Sequence, residues 1–172
     1  NISAEAVASV TEESRDLEGL IGAAVGYDVA IASDQVVDLL LFYDPVEVFP
    51  DDYSRYEREF LSDAACFRER TCSKVELNVS LVANYPLGIT GESETRLQYH
   101  WIDTAKGPAA VQRSWTRWEP TISVDWLKVT QQYYLAVTLP QDGGGTRRVE
   151  SMWMEAELLN ANIPEGMALN MT

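Results

Sequence analysis

Seven residues on two neighbouring stretches carry most of the reactive chemistry this chain offers. Tyr99, His100 and Trp101 are consecutive, and Arg113, Trp115, Arg117 and Trp118 cluster on the next stretch. Arginine and tryptophan are enriched where proteins bind partners. A guanidinium lying over an exposed indole gains about 0.5–1 kcal/mol. Arg113, Trp115 and Arg117 are therefore the candidate binding residues, for a protein, a glycan or an anionic small molecule. His100 is the one histidine in the chain. With Asp125 and the tyrosines it is the candidate for general acid–base work. A carboxylate set among Trp126, Tyr133 and Tyr134 would be desolvated, which raises its pKa. Strand alternation places Tyr99 and Trp101 on the face opposite His100, so these groups cannot all line one site.

Other catalytic arrangements are missing from the sequence. A serine triad needs a histidine base, and no G-x-S-x-G elbow is present. Gly143-Gly144-Gly145 is followed by Thr146-Arg147-Arg148, which reads as a hairpin tip and not as a phosphate-binding loop. Asp44, Glu47, Asp51 and Asp52 are close together but lack the alternate spacing of a calcium loop. No metal site and no cofactor are expected.

Cys66 and Cys72 are the two cysteines. Two ligands are too few for zinc, and the spacing is not C-x-x-C. A short-loop disulfide is the expectation, which implies an oxidising, extracytoplasmic compartment. The chain opens on Asn1, which reads as a processed product from which a signal or anchor has been removed. Three N-x-S/T sequons, at Asn1, Asn78 and Asn170, read as chance.

The net charge of −14 argues against nucleic acid, whose binding rests on cations displacing counterions, and against an anionic membrane surface. No apolar run approaches the roughly 20 residues of a membrane span. At 172 residues the chain fits one domain with a core of its own.

These side chains must be positioned by elements, and the aromatic inventory divides them. All four phenylalanines precede Arg68, and all five tryptophans follow Tyr99. Residues 1–72 hold sixteen acids against five arginines, whereas residues 73–172 hold eleven acids against eight bases. Val7, Val10, Ser14, Leu17, Ile21 and Ala24 recur at helical spacing and predict an amphipathic helix over 3–25. Ser33–Tyr43 predicts a second helix, stopped at Asp44-Pro45. Tyr53, Tyr56 and Phe60 predict a third, after Pro50. Beyond Cys72 the period changes to two: Val75, Leu77, Val79 and Leu81 alternate with polar residues. Strands are expected at 97–102, 109–118 and near 149–158. One long bent strand or two shorter ones are expected within 121–139. Thr90–Ser93 reads as turn.

The expected fold is α+β: N-terminal helices over 1–65, then a five- to six-stranded antiparallel, curved sheet over 73–158, in a single domain 1–172. This element order resembles an NTF2-like cone or a pilin-like layout. The heptad-like first helix and the shortage of catalytic groups predict a non-enzymatic extracytoplasmic domain. It would bind a protein partner or a second copy through that helix. The alternative is an NTF2-like pocket protein, a carrier or a small isomerase or dehydratase, holding a small ligand.

Overall fold

A computed structural model describes residues 2–11 and 15–159. Eight antiparallel strands form one sheet: β1 (Ile21–Val29), β2 (Tyr53–Phe60), β3 (Lys74–Tyr85), β4 (Ile89–Thr104), β5 (Gly107–Thr116), β6 (Thr121–Ile122), β7 (Leu127–Pro140) and β8 (Thr146–Leu158). The order is β1-β8-β7-β5-β4-β3-β2, with the short β6 paired to β4. Among the described residues four α-helices accompany it: α1 (Ala4–Thr11), α2 (Ser33–Phe42), α3 (Pro45–Val48) and α4 (Ala64–Arg68).

Period-two alternation gives the sheet two chemically distinct faces. Val75, Leu77, Val79, Leu97, Tyr99 and Ala110 point to one face and meet Val37 and Leu41 of α2 and Phe67 of α4 in the main core. Phe67 stacks on Trp101 at 5.2 Å between ring centroids, and the Trp101 indole N–H donates to the Phe67 carbonyl at 3.1 Å. Helix α2 is anchored at its start, where the buried Ser33 hydroxyl donates to the Pro108 carbonyl at 2.6 Å. On the opposite face Val7 of α1 packs on Trp115 and Tyr133, flanked by Leu17, Leu20 and Trp153. Gly22 leaves room for that last indole: a β-carbon there would lie 2.5 Å from the Trp153 ring.

The α+β class and the antiparallel sheet agree with the sequence, but the front half does not. Helix α1 covers Ala4–Thr11, Ser14 of the expected stripe lies outside the described residues, and Ile21–Val29 is an edge strand paired to β8. Leu17 and Ile21 therefore do not continue a helical stripe; the small residues Gly22, Ala23, Ala24 and Gly26 lie along the edge of the sheet. Residues Tyr53–Phe60 are likewise a strand, not a helix. Their stripe spacing hid an alternation in which Tyr56, Arg58 and Phe60 oppose Leu81, Val79 and Leu77. The front segment expected to be helical, residues 1–65, thus contributes two strands, and the sheet has eight strands where five or six were expected. Thr90–Ser93 lies inside β4, not in a turn. Residues 121–139 form two strands, β6 and β7, with a bulge between Val129 and Gln131. The hairpin at Gln141–Gly145 is as expected; Gly143 and Gly144 take φ of +94° and +87°, values other residues rarely adopt.

Candidate functional site

The helix-bearing face is filled unevenly. Over β3 and β4 it is apolar and packs against α2 and α4, while β2 adds Tyr56, Phe60 and the Arg58 side chain. Over β5, β7, β8 and β1 the same face carries a polar row followed by apolar side chains. Register aligns Ala110, Thr138, Arg148 and Tyr27 across four strands. The next row aligns Gln112, Ala136, Glu150 and Val25, and the one after it Ser114, Tyr134, Met152 and Ala23.

Arg148 organises this half. It is 2% exposed, among the largest fully buried side chains of the molecule. Its Nε donates to Glu150 Oε1 at 2.5 Å, Nη1 to Thr138 Oγ1 at 2.7 Å, and Nη2 to Gln112 Oε1 at 2.6 Å and Tyr134 Oη at 3.1 Å. The Tyr27 hydroxyl donates to Glu150 Oε1 at 2.8 Å. A buried cation is tolerated only when it is paired and hydrogen-bonded, and Arg148 meets both conditions.

Protonation states follow from these contacts. Burial alone would raise the Glu150 carboxyl, but hydrogen bonds from Arg148 and Tyr27 and the guanidinium charge outweigh it and hold it below the usual range. Burial raises the Tyr134 hydroxyl above its ordinary value, against the pull of Arg148. Burial likewise raises Tyr99. The row is thus a neutralised ion pair fringed by neutral phenols. Beside it Ile21, Val25 and Met152 are 78%, 56% and 41% exposed, so among the described residues the apolar part of this half is open.

The residues singled out from sequence are not gathered at this row. Arg113, Trp115 and Arg117 share the opposite face, as alternation requires, but do not form one exposed surface. Trp115 is buried beneath Val7. Arg117 is paired with Glu94 and lies 4.3 Å over the exposed Trp118 ring. Arg113 is exposed, its Nε donating to Gln98 at 2.7 Å. His100 is exposed on β4, on the same face as Arg113. Asp125 is exposed in the segment before β7 and is not near His100 in the register. Cys66 and Cys72 are at disulfide distance, with Cα atoms 5.4 Å apart, and tie α4 to the start of β3. Among the described residues no helix is long and apolar enough to cross a membrane.

The Arg148–Glu150 pair carries a local sequence signal. Alternation along β8 puts Met152, Met154 and Ala156 on one face, and continuing it backwards adds Glu150 and Arg148. Opposite charges two residues apart on the apolar face of a strand signal a buried pair.

Comparison with known structures decides the fold. A START superfamily protein from Mycobacterium smegmatis superposes with a TM-score of 0.51 at 11% identity, over 87% of this chain and 85% of that one. TTHA0849 from Thermus thermophilus gives 0.52 at 14%, over 88% and 83%. The fold is START-like. The Zhui aromatase/cyclase from Streptomyces sp. R1128 also matches, with 0.50 at 13% identity over 82% and 71%. No family model matches the sequence. No curated protein matches it.

Two expectations are thereby corrected. The layout is neither NTF2-like nor pilin-like. The assembly domain acting through its first helix is overturned as well. Its neighbours in fold are a START superfamily protein and an aromatase/cyclase. The helix itself spends Val7, 1% exposed, on its own sheet. The segment after it is held there too: Gln131 Nε2 donates to the Asp16 carbonyl at 2.6 Å, and Arg15 Nη1 to the Tyr133 hydroxyl at 3.3 Å.

Proposed function

We propose that this chain binds a small lipophilic molecule on the open half of its helix-bearing face. The ligand's apolar body would lie over Met152, Met154, Val25 and Ile21, and its polar end would meet Tyr134, Tyr27 and Glu150. The observation that carries this reading is the Arg148 row, in which four of the five guanidinium N–H donors are already engaged. A buried guanidinium that already holds four acceptors has little to offer an incoming anion, and Glu150 neutralises its charge. The polar end that fits is therefore uncharged, a hydroxyl or carbonyl able to exchange hydrogen bonds with phenols and a carboxylate. The START-like fold supports the reading, since known neighbours include a START superfamily protein and an aromatase/cyclase. The cysteine pair supports an oxidising, extracytoplasmic setting.

The probe that tests this is 2-naphthol, neutral at pH 7, apolar in body and carrying one hydroxyl. Saturable binding is expected from its fluorescence, with loss in Met152→Glu, a change at an exposed position that the fold tolerates. Binding of equal strength in the variant would refute the site.

A further inference from the structure

The opposite face holds a second, chemically different feature. A groove of about 240 Å³ lies between β3, β4 and β5, lined by Lys74, Gln98, His100, Ile102, Val111 and Arg113. Register accounts for the gathering: Lys74 pairs with His100 and His100 with Val111, while Gln98 pairs with Arg113 one row away.

Arg113 stands out by its pairing. The chain has twenty-seven acids and thirteen bases, so an arginine without a carboxylate is unusual. Arg55, Arg68, Arg70, Arg96, Arg117, Arg147 and Arg148 are each in an ion pair, as are all three lysines. Arg58 spends its charge on the Tyr43 carbonyl and the Tyr56 ring. Among the described residues no acid pairs with Arg113. Its Nε is fixed by the carbonyl oxygen of Gln98, a side chain 9% exposed, which leaves both terminal nitrogens available. The one acid in its own row, Glu76, lies two strands away on β3 and is held by Lys74 at 3.0 Å and Arg96 at 2.6 Å. Lys74, Arg96 and Arg113 against Glu76 make a locally positive patch on a chain of net charge −14.

We propose that this groove is a binding site for a small amphipathic carboxylate. The carboxylate takes the two free Arg113 nitrogens in a bidentate pair, with the His100 ring and the Lys74 ammonium beside it. The apolar body rests on Ile102 and Val111. The groove falls short of the roughly 300–1,000 Å³ of drug-sized pockets, so a single ring or a short chain fits. This site does not depend on the reading of the helix-bearing face, because its residues lie on the other side of the sheet.

Benzoate is the probe, followed by backbone amide NMR of the whole chain. Saturable shifts are expected at Gln98–His100 and Val111–Arg113. Arg113→Gln should weaken binding about tenfold or more, the loss of charge-assisted hydrogen bonds. Leu135→Glu is the second variant: Leu135 pairs directly with Arg113 across β5 and β7, so its carboxylate would occupy the guanidinium. It should abolish benzoate binding while the protein stays folded. Inorganic phosphate should bind more weakly than benzoate, and benzyl alcohol should not saturate. Benzoate affinity unchanged by either variant would overturn the site. Equal affinity for phosphate would overturn the amphipathic ligand.

Discussion

The half of the sheet over β2, β3 and β4 and the half over β5, β7, β8 and β1 share one face but are finished differently. In the first, Leu77, Val79 and Tyr99 are sealed under Phe67 and Leu41, and the buried groups of this core are apolar or a phenol. In the second, a charged row is buried and apolar side chains such as Val25 and Met152 stay exposed. Folding alone favours the reverse arrangement, because exposed apolar area and a buried charge both cost stability. The buried Arg148, with four hydrogen bonds, beside the exposed Met152 is the contrast on which the proposed lipophilic site rests.

Substitutions can break or sharpen this contrast, and the largest effect belongs to the sealed half. Phe67→Ala should lose about 3–5 kcal/mol of unfolding free energy in denaturant titration, with 2-naphthol affinity unchanged in the remaining folded protein. Arg148→Met should cost up to a comparable amount, about 3–5 kcal/mol, by leaving the half-buried Glu150 without its cation. The double variant Arg148→Met, Glu150→Leu should regain most of that stability while losing naphthol binding. A double variant that stays as unstable as the single one would show that the row is needed for folding itself. On the other face, Val7→Ala should cost about 2 kcal/mol, since Val7 is sealed against Trp115 and Tyr133.

A pH titration separates the halves next. The Glu150 carboxyl is held low in the folded state, so its stabilising contribution is complete above its unfolded value near about 4.3. That contribution is lost as pH falls through the lower folded value. The wild type should therefore lose stability more steeply below about pH 4.5 than Glu150→Gln does, as followed by thermal melts. The smallest effect on stability is expected from Tyr134→Phe, less than about 1.5 kcal/mol. The same change should weaken naphthol binding roughly threefold to tenfold.

What the sequence disclosed follows from how strongly each residue pattern is tied to one conformation. Val75–Leu81 alternates so regularly that β3 was plain, and Asp44-Pro45 ended α2 where the rule on residues before proline requires. The segment Ile21–Val29 was not plain. Gly22, Ala23, Ala24 and Gly26 are too small to show a period, and only pairing with β8 decides their conformation. Tyr53, Tyr56 and Phe60 fit a helical stripe as well as a strand face, and tertiary pairing with β3 chose the strand. The Arg148 row was hidden for another reason. Its five polar partners come from β1, β5, β7 and β8, and no local window contains more than two of them. The tryptophans of the back half, by contrast, serve packing, as Trp115 does under α1.

The most direct test of the account is methyl NMR of methionine during titration with 2-naphthol. Met152 and Met154 sit on the open half of the helix-bearing face, two residues apart on β8. Large saturable shifts of both methyl groups, absent in Met152→Glu for the remaining Met154, are the predicted result. Binding of naphthol that leaves both methyls unmoved would place the ligand elsewhere and contradict the account.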